Sequence, residues 1–309
     1  MPFVEAAAPF GAEPEALLDV AVRVAESGQP PSVALTEAAR GAAALASSIS
    51  PAKVRAAIEA VIMGKRLEAG LQWLHESGVL GVLLPELEAT VEFSQEAGRR
   101  HKDVWEHTKL VVRQSVPKSV VRWAALLHDI GKVPTRVMLP DGRVTFHRHA
   151  EVGARMFDTL SRRFGFDRAE RSQVRFLILH HLRANAYEAS WTDAAVRRFD
   201  HEMGDALGDL LDLSRADVTS KRPGRRQEAV ANIHALKERI LAIRELDARV
   251  PPLPPGLGNA IMEAFALPPS RRVGDLRKRC EEAVERGELE ERRDAAYYVD
   301  YLRRNGDGG

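Results

Sequence analysis

The sequence predicts an all-α protein, a helical bundle flanked by further helices with at most one small β-hairpin. Three observations lead there. Apolar residues recur three and four positions apart along most of the chain. Ala, Leu, Arg and Glu are abundant while aromatic residues make up only 6% of the 309 residues, a bias that suits helices better than strands. Gly28, Gly78 and Pro85 punctuate the early periodic stretches, and no helix can cross the proline-rich run at 250–256.

Taken in order, residues 1–12 read as an irregular entry segment, and the pattern is helical from there to about Glu88. Leu17, Leu18, Ala21, Val22 and Val24 form an apolar stripe that Gly28 stops. Ser50-Pro51 reads as a helix start, a hydroxyl cap followed by proline at the first helical position, with Val54, Ile58, Val61 and Ile62 on one face. Leu67, Leu71 and Leu74 make the next stripe, ended by Gly78, and Pro85 punctuates the run 79–84. Four central helices are expected at about 101–116, 119–128, 149–164 and 168–181. Between the second and third, Pro140-Asp141-Gly142 is a turn signal flanked by 136–139 and 143–146, which suits a small hairpin. Helices near 193–203 and 205–217 come next, then a proline-rich hinge at 250–256, then helices at 259–265 and 271–286. The expected domains are a helical first region at 1–93, a central domain at 94–226 and a helical last region at 227–309.

Composition excludes several classes. The net charge of +1 gives no global signature of a nucleic-acid binder, so RNA contacts need local patches. The single cysteine, Cys280, excludes an internal disulfide and a cysteine-rich zinc site. No apolar run approaches a membrane span, and the first residues do not read as a signal peptide, so a cytoplasmic location is expected.

The chemistry lies in histidines and acids on apolar helix faces. His107 shares a side with Val104 and Val111, and Leu126-Leu127 leads into His128-Asp129. His149 is in register with Val152, Gly153, Met156 and Leu160, and His181, with His180 beside it, is in register with Val174, Leu177 and Ile178. Asp217 is in register with Leu207, Leu210 and Ser214. Burying an ionised carboxylate costs several kcal/mol unless it is paired or binds a metal. A lone inward histidine is more often a core residue bonded to a carbonyl, but five such sites on successive helices call for a shared cation. One or two divalent ions are expected, drawn from Mn, Mg, Ni, Fe, Co and Zn. His75, His147, His201 and His234 keep the plain structural reading.

The string Leu126-Leu-His-Asp-Ile-Gly-Lys132 resembles the signature of the HD superfamily of metal-dependent phosphohydrolases. That resemblance implies an HD-type bundle with His107, His128, Asp129 and Asp217 as core metal ligands. His149, His180 and His181 match positions that binuclear members add, and Asp103 sits where some of them carry a carboxylate. Asp129 is then the bridging ligand and a catalytic residue. Lys132 either binds a phosphate oxygen or is a solvated helix-end lysine. Lys221, Arg222 and Arg225 after Asp217, with Arg183 as a weaker candidate, are the anionic-substrate residues, although such charge runs are usually just solvated.

A second resemblance covers about residues 13–305. Gly70-Leu-Gln-Trp-Leu-His-Glu-Ser-Gly-Val-Leu-Gly-Val-Leu-Leu-Pro-Glu86 resembles the neck of bacterial CCA-adding tRNA nucleotidyltransferases and poly(A) polymerases. Phe146-His-Arg-His-Ala-Glu-Val-Gly-Ala-Arg155, Trp191-Thr-Asp-Ala-Ala-Val-Arg-Arg-Phe199 and Ser214-Arg-Ala-Asp-Val-Thr-Ser220 resemble the same family, and 257–290 its body and tail. The Asp-x-Asp of the family's catalytic head occurs nowhere in this sequence, and the only Gly-Gly is Gly308-Gly309. The resemblance therefore implies no nucleotidyl transfer by this chain alone. It implies a phosphatase or phosphodiesterase acting on nucleotides or RNA 3′ ends such as 2′,3′-cyclic phosphates. The alternatives are an RNA-binding module, tRNA included, and a partner subunit for a separate head protein. A homodimer contact through the first 50 residues is also open.

Overall fold

Glycine and proline cut the chain into helices close to where the sequence places the breaks. The computed structural model describes residues 10–91, 93, 103–219, 224–248 and 251–305. Contacts divide it into two compact units, Met1–Ile240 and Leu241–Gly309.

The first unit begins with α1 (Ala16–Ser27), α2 (Val33–Ala42), α3 (Pro51–Met63), α4 (Leu67–Glu76), α5 (Val79–Leu83) and α6 (Pro85–Glu88). Helix α1 buries Leu17, Leu18, Ala21 and Val24, and Gly28 ends it in a left-handed conformation at φ 72°, its N–H bonded to the Val24 carbonyl. Pro51 opens α3 as expected, but the Ser50 hydroxyl makes no capping bond. Helices α1, α3 and α4 pack together through small residues. A Cβ on Gly70 would stand 2.6 Å from Ala25 Cβ and 2.9 Å from the Ala21 carbonyl oxygen. That backbone contact lets α4 lie directly on α1.

The central part holds α7 (Val104–Gln114), α8 (Ser119–Leu127), the one-turn α9 (Lys132–Thr135), β1 (Val137–Met138), β2 (Val144–Thr145), α10 (His149–Arg163) and α11 (Arg168–His180). It continues with α12 (Asp193–Met203), α13 (Leu207–Asp217) and α14 (Arg225–Ala248). Helix α11 starts on a capping box in which Asp167 and Glu170 each bond the other's backbone N–H. Val111, Leu126, Phe157, Ile178, Leu210 and Leu213 are among the buried residues of this bundle. Among the described residues the only strand pairing is the antiparallel β1–β2 hairpin, with Val137 opposite Thr145 and Met138 opposite Val144. The fold is thus all-α with a small hairpin. The expected helix at 205–217 is split: residues 204–206 form a 3₁₀ turn and α13 begins at Leu207. No helix among the described residues is long and apolar enough to cross a membrane.

The second unit contains α15 (Leu257–Phe265), α16 (Arg271–Glu285) and α17 (Ala295–Arg304) around Leu253, Ile261, Leu276, Cys280 and Tyr298. The proline-rich stretch is folded into this core. Leu253 is buried, and the Pro252 carbonyl accepts from Arg292 N–H and the Tyr298 hydroxyl.

The close α1–α4 contact predicts opposite outcomes for two glycines. Gly70→Val should cost about 1–3 kcal/mol through overpacking. Gly41→Ala, inside α2 with no atom within 4 Å of the new Cβ, should stabilise by about 0.5–1 kcal/mol. Urea denaturation of the two variants checks both signs.

Candidate metal centre

Helix ends deliver most of the polar groups to one place. His128-Asp129 come directly after the last residue of α8, His149 opens α10, His181 lies just past α11, and Asp217 closes α13, while His107 projects from within α7. The final carbonyls of a helix lack partners four residues on. His128 and His181 use this, each ring donating Nδ1–H to the carbonyl three residues back: Ala125 at 2.8 Å and Ile178 at 2.7 Å. His149 does the same to Phe146 at 2.9 Å. His107 Nδ1 is held at 2.9 Å by the Thr219 hydroxyl.

With their Nδ1 atoms engaged, all four rings turn Nε2 inward. His107 and His128 Nε2 lie 3.2 Å apart, and those of His149 and His181 3.3 Å apart. Two such lone pairs repel unless a proton or a cation sits with them. Asp129 joins the pairs. Its Oδ2 lies 3.2 Å from His128 and 3.5 Å from His107, and its Oδ1 lies 3.5 Å from His149. Asp217 Oδ1 adds contacts of 3.0 Å to His107 and 3.5 Å to His128. Two groups with metal-ligand spacing result, His107–His128–Asp129 and Asp129–His149–His181. Neutral imidazole nitrogens and carboxylate oxygens, each oriented by an outer hydrogen bond, form a donor set that fits divalent cations.

The electrostatics carry the same message. Burial would lower the His128 pKa, but the charge of Asp129 and hydrogen bonds to Asp129 and Asp217 outweigh it and raise it to about 10. Burial would raise Asp129, yet His128 and Lys132 hold it well below the usual carboxylate range. Asp217 is likewise depressed, its burial overcome by hydrogen bonds from His107 and His128. Burial, then the nearby His128 charge, lowers His181 to about 4. Burial also lowers His149. Without a cation, a proton on His128 holds the first cluster together, while the second keeps its imidazoles neutral.

The other candidate residues take varied positions. Lys132 Nζ lies 2.6 Å from Asp129 Oδ2, inside the site and not out in solvent. His180 is not brought to the cluster. Successive helical residues point about 100° apart, so turning His181 inward turns His180 away. Its ring stacks on Phe176 at 4.3 Å, and its charged neighbours are Arg183, Glu202 and Arg175. Arg183 is paired with Glu202 at 2.6 Å. Asp103 caps α7 by accepting from Trp105 N–H. Arg225 is the exposed first residue of α14. Lys221 and Arg222 lie outside the described residues, as does the expected start of the first central helix at His101.

Sequence reasoning missed the supports. Thr219 orients His107, the Ser214 hydroxyl donates to the His181 carbonyl at 3.2 Å, and the Gln114 amide donates to the Ala216 carbonyl at 3.0 Å. A Cβ on Gly131 would collide with the His149 carbonyl and stand 2.6 Å from Gly153 N. Glycine there lets the turn carrying Asp129 rest on the backbone of α10. Only the glycine had a visible signal, its place in the His-Asp-x-Gly-Lys string.

Comparison with known proteins agrees with this geometry. The HD domain model matches residues 88–231. The chain therefore carries an HD domain over those residues, and the histidine–aspartate cluster lies within it. Around that domain it resembles the part of CCA-adding enzymes that lies outside their catalytic head. It is 32% identical to the A-adding tRNA nucleotidyltransferase of Deinococcus radiodurans over 80% of this chain and 57% of that protein. It is 31% identical to the CC-adding tRNA nucleotidyltransferase of Thermus thermophilus over 81% and 56% of the respective chains. It is 29% identical to the multifunctional CCA protein of Pseudomonas paraeruginosa over 60% and 42%. The chain spans little more than half the length of the first two relatives.

Two outcomes are expected at this site. Thr219→Val should weaken divalent-metal binding about 10–100-fold, the usual effect of losing an outer partner of a ligating histidine, while Thr219→Ser retains it. Titration with Mn²⁺ followed by calorimetry reads this. Metal must also displace the His128 proton, whose pKa is raised to about 10. Affinity should therefore climb as pH rises toward that value, with about one proton released at neutral pH by an ion entering the His107–His128–Asp129 group. Calorimetry in buffers of differing ionisation enthalpy counts the proton.

Proposed function

We propose that this protein is a metal-dependent phosphatase or phosphodiesterase acting on nucleotides or RNA 3′ ends, 2′,3′-cyclic phosphates among them. The observation that carries the reading is the pair of ligand groups sharing Asp129, one on each of its oxygens. His107, His128, Asp129 and Asp217 would hold one cation, and Asp129, His149 and His181 a second. Such cations lower the pKa of bound water and neutralise phosphate oxygens.

The chain's own residues do the rest. Asp129, 2% exposed, keeps its charge in a dry pocket where electrostatic interactions are strong. Lys132, whose ammonium pairs with Asp129, would shift to a phosphate oxygen and stabilise the charge that develops there. The outer hydrogen bonds on each Nδ1 keep the rings from rotating as substrate enters.

The similarity to tRNA nucleotidyltransferases over 80% of the chain favours a second reading, an RNA-binding module or a partner of a nucleotidyltransferase head. One experiment separates the two. Purified protein is assayed with 2′,3′-cyclic AMP across Mn, Mg, Ni, Co, Fe and Zn, with Asp129→Ala as the control. Hydrolysis that requires metal and drops at least about 100-fold in the variant supports the phosphohydrolase. A folded protein inactive with every metal rejects it, and tight tRNA binding unaffected by Asp129→Ala then supports the second reading.

A further inference from the structure

The candidate centre is not fully enclosed. His128, Asp129 and His181 are 1–2% exposed, whereas the side chains of His107, His149, Asp217 and Lys132 retain 12–14%. From Lys132 a row of alternating cations and aromatic rings leads outward. Lys132 Nζ, 2.6 Å from Asp129, lies 5.7 Å from the centre of the Phe146 ring. Phe146 meets Phe93 at 6.2 Å between ring centres, tilted by 51°. The Arg136 guanidinium lies 5.2 Å from the Phe93 ring. Burial falls along the row: Lys132 and both rings are half-buried, and Arg136 is exposed.

Backbone contacts tie both rings to the site. The Phe146 carbonyl accepts from the ring and the backbone N–H of His149. The Phe93 carbonyl accepts from Val104 N–H at the start of α7, the helix that carries His107. Core packing does not require this arrangement, because neither ring is fully covered. Half-open aromatic faces beside cations are the chemistry that stacks flat, electron-rich rings. Their place next to the phosphate-facing lysine sets the order of the ligand's groups, with phosphate inside and ring outside.

We propose that Phe146, Phe93 and Arg136 form a base-stacking subsite at the mouth of the metal centre. The preferred substrate is then a phosphate ester that carries a nucleobase, and the base supplies part of the affinity. The inference rests on the phosphohydrolase reading of the same centre and adds to it which part of the substrate is recognised outside the metals.

The test compares AMP with ribose 5-phosphate, both as slowly hydrolysed phosphorothioates, binding to the Mn²⁺-loaded protein by calorimetry. The wild type should bind the adenosine compound about tenfold more tightly, within the range of one base stacked on an aromatic side chain. Phe146→Leu and, separately, Phe93→Leu should each cut that ratio to about twofold or less, with thermal denaturation confirming that each variant is folded. Equal affinity for the two compounds in the wild type overturns the proposal. So does a tenfold ratio that survives in both folded variants. If both compounds bind Asp129→Ala as tightly as wild type, the metal-centre reading itself falls, and the subsite with it.

Discussion

The centre is organised by the electrostatics of Asp129. A carboxylate 2% exposed cannot stay ionised without compensation, and here compensation comes from every side. His107 and His128 approach one oxygen together with Lys132, and His149 approaches the other. The contributing groups come from three stretches of chain, with His128 and Lys132 flanking Asp129 itself, so the charge on one side chain holds α7, α10 and the turn after α8 in mutual register. The same convergence gives the site the donor set that a divalent cation would need. It leaves four imidazole nitrogens facing one another in pairs closer than lone pairs tolerate.

Rigidity around that charge comes from backbone rather than from side-chain bulk. Three of the four rings are pinned to carbonyls three residues upstream. Two of those carbonyls are free because a helix has just ended. Gly131 and Gly153 bring the turn and α10 into direct backbone contact. The fourth ring, His107, depends on Thr219, which lies just beyond α13. The first cluster is thus held partly by side chains and the second by helix termini.

Much of this was legible in sequence. Helix existence could be read from apolar periodicity, and breaks fell at Gly28, Gly78 and Pro85 because those residues act through local backbone conformation alone. The candidate ligand residues were legible because an acid or imidazole on an apolar face breaks the rule for that face. His180 shows the limit of such reading. Two adjacent histidines at a helix end both match the family pattern, and only the rotation of α11 decides which faces inward. The long helix α14 and the short α17 were not marked individually, although Ile233, Leu236, Ile240 and Ile243 in the one and Tyr298, Val299 and Leu302 in the other recur at helical spacing.

The sequence by itself determined the helical class, the position of the His-Asp pair and the identity of most candidate ligands, because these depend on residue type and near neighbours. The tertiary structure decided which nitrogens converge, that Lys132 belongs to the site, and that Thr219 and Gly131 support it. It also decided that Phe93 and Phe146, 53 positions apart in sequence, stand side by side. Such contacts are set by how helices distant in sequence pack against one another, and no local pattern encodes a packing angle.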